Sequence, residues 1–138
     1  MISLTSYADT EVVKRLLAQC MWPDDDRIAR ELLMYQTEPT RILMGEEKTG
    51  ELVGLIGVER TGGASGILKH IAVTPLYQRR NLARSMIEKI MLETGLSELQ
   101  AETDKDAVGF YKRIGCRIES LGEKYPEVER FRCILKRE

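Results

Sequence analysis

The chain has 138 residues, 43% of them hydrophobic, enough for one compact domain spanning 1–138 and too few for a separate regulatory module. Its 21 Lys and Arg nearly offset 22 Asp and Glu, leaving a net charge of -1, so no nucleic acid or other polyanionic partner is expected. Residues 1–7 lack the basic start and sustained apolar run of a signal peptide, and no segment is long enough to span a bilayer, so a cytoplasmic protein without a membrane partner is expected.

In chain order, Ile2 to Leu4 reads as a short strand. Ser6-Tyr7-Ala8-Asp9 reads as a capping box opening a helix with Val12, Val13, Leu16, Leu17 and Cys20 on one face. That helix stops near Pro23, after Met21 and Trp22. A second helix starts among Asp24 to Asp26, where acidic side chains suit the positive end of the dipole, and Pro39 closes it. The period then changes to that of strands over Arg41 to Glu46, Glu51 to Arg60 and Ile67 to Val73, joined by short Gly-bearing connections.

From Gln78 a helical period returns, with Leu82, Ala83, Met86, Ile87, Ile90 and Met91 on one face, and it ends at Gly95. Leu96 to Glu102 reads as a strand and Thr103 to Asp106 as the capping box of a helix through Arg113. Cys116 to Leu121 and Val128 to Leu135 read as the final strands, with a Tyr125-Pro126 turn in a long connection between them. The order is β-α-α-β-β-β-α-β-α-β-β, an α/β class with a central mixed, mostly antiparallel sheet flanked by helices. Cys20, Cys116 and Cys133 are odd in number, widely spaced and accompanied by one His. They fit neither a disulfide framework nor a metal site, so no metal is expected and each reads as a small core residue.

The segment that carries chemistry runs from Ile71 to Arg84, where an apolar strand meets an amphipathic helix through a turn dense in amide donors and arginines. A helix start there points unpaired N–H groups at an anion, and the dipole adds attraction. The segment has neither the Gly-x-Gly-x-x-Gly of a dinucleotide-binding turn nor the Gly-Lys-Ser/Thr of a P-loop. On composition alone it is equally an ordinary connection with solvated arginines, and a nucleic-acid reading would use Arg79, Arg80 and Arg84.

Gln78-Arg79-Arg80-Asn81-Leu82-Ala83 resembles the Gln/Arg-x-x-Gly-x-Gly/Ala signature of the GNAT superfamily of acyltransferases, with Asn81 in place of the usual Gly. Asn tolerates a left-handed backbone better than most residues. Downstream, Ala107 to Cys116 resembles the same family's Ala-x-x-x-Tyr-x-x-x-Gly-Phe, with Cys116 replacing Phe. The two motifs occur in the family's order, so the resemblance covers essentially the whole chain and implies a GNAT-like fold.

The resemblance implies an N-acetyltransferase that moves the acetyl group of acetyl-CoA, as cosubstrate, directly to a primary amine of a small molecule, peptide or protein. The alternative is a non-catalytic acyl-CoA-binding module. It implies cofactor contacts from the main chain near Ala72 and Val73, which can also offer an N–H to the oxyanion, and from Gln78, Arg79, Arg80, Asn81, Leu82, Ala83 and Arg84. Asp104 either joins them or caps a helix. Tyr111 takes the place of the general acid, a phenol that ionises near a thiol. Glu59, His70 and Glu102 are candidate bases for the amine, and a homodimer stays open, as do Met21 and Trp22 as acceptor-cleft or helix-stapling residues.

Overall fold

Helical and strand-like periods alternate along the chain, and the computed structural model shows how they condense onto one sheet; residues 1–137 are described, without the Lys124 side chain. The elements are β1 (Ile2–Ser3), α1 (Thr10–Ala18), α2 (Asp25–Thr37), β2 (Arg41–Lys48), β3 (Glu51–Gly62), β4 (Ser65–Val73), α3 (Leu82–Thr94), β5 (Glu98–Asp104), α4 (Val108–Arg113), β6 (Arg117–Tyr125) and β7 (Val128–Lys136). Sheet order is β1-β2-β3-β4-β5-β7-β6. Every neighbouring pair is antiparallel except β4 and β5, which α3 joins as a parallel crossover.

The sheet separates two cores. On one face α1 places Val13, Leu16 and Leu17, and α2 places Ile28, Leu32 and Tyr35, against Leu43, Leu52 and Leu55. On the other, Leu82, Met86, Ile87, Ile90 and Met91 of α3 pack on Val53, Ile56 and Val58, with Tyr111 of α4 in the same cluster. The central strand β3 is buried without interruption from Leu52 to Val58 because helices cover both of its faces.

Two irregularities shape the middle of the sheet. First, β4 and β5 are matched only over Ser65–Ile67 with Glu98–Gln100, although β4 stays matched to β3 as far as Val73 and β5 to β7 as far as Asp104. Beyond Ile67 the two strands therefore part. Second, His70 pairs with Gly57 and Leu68 with Val58, so Lys69 is an extra residue in a β-bulge. Simple alternation would put Leu68 and His70 on one face; the bulge sends Leu68 to the α3 side and His70 to the α2 side.

Several boundaries differ from the sequence expectations, each for a local reason. α1 is capped by Asp9, whose carboxylate accepts from the Val12 N–H, so the cap lies three residues beyond Ser6. α3 starts at Leu82, because Pro75–Tyr77 form one 3-10 turn and Arg79 and Asn81 adopt left-handed φ of 64° and 60°, which no α-helix accommodates. β6 reaches Tyr125, so the expected long connection before β7 is the two-residue turn Pro126-Glu127. Cys133 is buried and Cys116 half-buried, as small core residues are, whereas Cys20 is exposed.

Gly57 fixes the fit between α2 and the sheet. A Cβ there would lie 2.0 Å from the Tyr35 hydroxyl and 2.4 Å from its ring carbon, a clash with a side chain that is itself buried. Gly57→Ala should therefore lower stability by roughly 1–3 kcal/mol or more, as overpacking does. The measurement is a urea midpoint; an unchanged midpoint would show that Tyr35 can withdraw without cost.

Candidate functional site

The 3-10 turn after β4 turns the chain sharply, and the left-handed residues Arg79 and Asn81, flanking Arg80 with its negative φ, turn it again into α3. Alternating φ of this kind curls backbone amides around a concavity suited to anions. Asn81 is the N-cap of α3 yet its side chain makes no cap hydrogen bond, which leaves the first-turn amides of the helix open. The loop is tied down by Gln78, whose Nε2 donates to the Val73 carbonyl at 3.0 Å.

Between this loop and α4 lies a cleft of about 680 Å³ lined by Val73, Tyr77, Gln78, Arg79, Asn81, Leu82, Ala83 and Arg84 from the expected segment, joined by Phe110, Arg113 and Ile114. Arg84 pairs with Glu88 at 3.2 Å and Arg80 sits over the Tyr77 ring at 5.4 Å, outside the lining. Among the described residues Arg79 and Arg113 carry no ion pair, so their charges face the cleft uncompensated. Phe110, Arg113 and Ile114 went unnoticed in sequence because α4 is only six residues long and shows no clear period.

Val73 at the end of β4 lines this cleft, and beyond Ile67 β4 is unpaired with β5. The Thr74 N–H bonds to the Val53 carbonyl, so by antiparallel alternation the main chain of Ala72 turns to β3 while those of Ile71 and Val73 turn to the open edge. Of the expected pair, Val73 thus faces the gap, together with Ile71, while the main chain of Ala72 faces β3. Tyr111 is buried on the α4 side, edge-on to Phe110 with centroids 5.0 Å apart. Burial pushes its phenol well above the usual value, so it stays protonated. Asp104 acts as a turn former, accepting from the N–H groups of Asp106 and Ala107 at 3.0 Å ahead of α4.

On the opposite face a second cleft, of about 540 Å³, opens between α2 and β4. Its floor is His70; Glu31, Arg27, Arg30 and Lys69 supply its charges, and Cys20, Met21, Trp22 and Met34 its soft walls. His70 is only 7% exposed, with Nδ1 2.6 Å from the Tyr35 hydroxyl and Nε2 3.6 Å from the Glu31 carboxylate. Glu31 only accepts, so the tautomer suiting both neighbours carries its proton on Nε2 and takes the Tyr35 hydroxyl hydrogen at Nδ1. Burial pushes His70 down to about 4; Glu31 opposes this, and Arg41 and Lys69 add to it.

Glu31 is held by Arg41 at 3.1 Å, and Arg41 also bonds Glu59 at 3.0 Å. Arg41 is buried, and Glu59 is engaged in balancing its charge. Glu59 lines neither cleft. Glu102 is exposed on β5 and pairs with Arg130 at 3.5 Å. Of the three carboxylate and imidazole candidates, His70 is the one the fold brings to a cleft, and Glu31 is the partner that sequence reading missed. Its signal was weak: Arg27, Glu31 and Met34 share a helix face, but that face is polar and offers no apolar period.

The model of the acetyltransferase (GNAT) domain matches residues 38–117, more than half of the chain. No curated protein sequence matches it. Among solved structures, the fold is similar to that of a GNAT-family protein from Desulfovibrio desulfuricans, with a TM-score of 0.80, 19% identity, and coverage of 97% of this chain and 96% of that one. It is similar to an aminoglycoside 6'-N-acetyltransferase complexed with coenzyme A, with a TM-score of 0.78, 18% identity and coverage of 99% and 97%. It is also similar to the ribosomal-protein-S18-alanine N-acetyltransferase of Escherichia coli, with a TM-score of 0.72, 18% identity and coverage of 97% and 90%.

The buried imidazole couples stability to acidity. Its folded pKa of about 4 lies below the ordinary 6.5, so the unfolded chain binds the extra proton between them. The contribution is complete above pH 6.5 and lost as pH falls toward 4, ~3 kcal/mol over the window. Urea midpoints taken from pH 7.5 to pH 4.5 should fall more steeply for the native protein than for His70→Gln. Parallel slopes would show that His70 is solvated.

Proposed function

The chain belongs to the GNAT acetyltransferase family, and from that premise we propose that it carries the acetyl group of acetyl-CoA directly to a primary amine. The observation that carries this reading is the adjacency of two features: an anion-suited loop whose cleft begins at Val73, and the strand edge of β4 left unpaired by β5 beyond Ile67. In this reading Arg79, Arg113 and the open amides before α3 hold the pyrophosphate. The pantetheine arm lies in the gap and bonds the Ile71 main chain and the Val73 N–H as a strand would. Coenzyme A is the ligand of the similar aminoglycoside acetyltransferase structure, which supports the same donor here.

The amine arrives from the His70 cleft, on the far side of the gap from Tyr111. Cys20 supports this, since it lines the cleft and adjoins the Ile71 main chain. The cleft therefore reaches the open edge. The amine must lose a proton to attack; the Glu31 carboxylate is the acceptor placed for it, with the neutral His70 flanking that carboxylate through Nε2. Attack forms a tetrahedral oxyanion that the Ile71 amide, fixed in the strand, can meet. Collapse expels the CoA thiolate, and the Tyr111 hydroxyl donates to it. Burial keeps that hydroxyl protonated, so its proton is present when the thiolate leaves.

Release of free thiol from acetyl-CoA across a panel of amines tests the reaction; tight CoA binding with no release from any amine would leave a binding module. Tyr111→Phe should lower kcat roughly 100-fold, the scale of a lost general acid, with CoA affinity nearly unchanged. Equal kcat would remove the hydroxyl from the mechanism. Arg79→Ala with Arg113→Ala should weaken CoA about tenfold or more while leaving the KM of the amine alone. Asn81→Gly, which relieves a left-handed non-glycine residue, should hold or tighten CoA; weaker binding would show that the Asn side chain contributes a contact.

A further inference from the structure

The charges of the His70 cleft do not balance. Arg27 and Arg30 lie three residues apart on one face of α2, and the bulge in β4 turns the exposed Lys69 into the same cleft. Among the described residues none of the three makes an ion pair, whereas the buried cation nearby, Arg41, is neutralised by both Glu31 and Glu59. Arg27, Arg30, Lys69 and Arg41 set against Glu31 and Glu59 leave two positive charges in excess, over an apolar wall in which Trp22 is 74% exposed. Like charges gathered at a concave mouth focus a field that attracts anions and repels cations. Such a mouth disfavours polyamines and other polycations by repulsion, which is how a pocket rejects a competitor as well as selecting a partner.

We infer that the acceptor is a small amine bearing an anionic group, carboxylate or phosphate, next to an apolar body. Its anion is held by Arg27, Arg30 and Lys69, its apolar part lies on Trp22, and its amine points down to His70 and Glu31. The inference rests on the acetyl-transfer reading for the direction of the amine, but the charge selectivity of the cleft stands on its own. A volume of about 540 Å³ suits a ligand the size of an amino acid or a little larger.

Trp22 is the sole tryptophan of the chain, so intrinsic fluorescence reports on this cleft without turnover. The test titrates the CoA-saturated protein with phenylalanine against phenethylamine, phosphoethanolamine against ethanolamine, and spermidine, and follows thiol release from acetyl-CoA with the same five. The expected result is that the anionic member of a pair binds at least tenfold tighter than its partner, the pair identifying carboxylate or phosphate. The Arg27→Ala/Arg30→Ala protein should lose that preference, and Arg30→Glu should invert it; both side chains are exposed, so the fold should persist. Spermidine or the neutral-bodied cations binding or reacting as well as the anionic amines would overturn the inference and leave acetyl transfer intact, as would an unchanged preference in the double variant. Selective binding of the anionic amines with no thiol release from any would instead count against the transferase reading and uphold the charge selectivity.

Discussion

The parting of β4 from β5 after three matched residues is the constraint on which the site depends. Each strand is held firmly on its outer side, β4 by β3 and β5 by β7, so the gap between them cannot close by sliding. A parallel pair left half-zipped exposes main-chain donors and acceptors that the rest of the sheet uses up internally. In the proposed reaction that opening joins two otherwise separate faces. Without it Tyr111, in the α3 core, and His70, under α2, would be divided by a continuous sheet.

The second face is organised by one buried cation. Arg41 lies between Glu31 and Glu59 and 5.2 Å from the Tyr35 ring, and Tyr35 in turn bonds His70. A buried charge of this kind is tolerable only while its partners stay ionised, since removing one costs ~3–5 kcal/mol. The network therefore fixes more than stability: it sets the position of Glu31 and the orientation of the imidazole before any ligand arrives. Gly57 belongs to the same device, because its missing side chain is the space that the Tyr35 hydroxyl fills.

The order and type of all eleven strands and helices were legible in the sequence, since the two apolar periods are strong and Gly and Pro mark most of the boundaries. The loop from Gln78 to Ala83 was legible as a site through its motif, but its shape was not. A left-handed Arg79 has no sequence signature, so the helix seemed to begin four residues early. The bulge at Lys69 was equally hidden, as strand alternation read from sequence assumes an even register. Glu31 stayed invisible because its role comes from contacts with residues 10 and 39 positions away, Arg41 and His70. Local pattern carries the scaffold; the site is made where register breaks and distant charges meet.

The half-open sheet also bears on self-association. Unpaired strand edges invite other chains to add to them, and proteins that keep such edges usually shorten, charge or distort them. The outer strands follow that rule: β1 is two residues long, and β6 carries Arg117, Glu119 and Glu123 with two breaks in register. The edges of Ile71 and Val73 are neither short nor charged, yet they are recessed between two strands that are themselves fully paired on the far side. A single extended arm can thread there, while a second sheet cannot dock. The fold thus keeps a β-template available to a slender ligand and closed to aggregation.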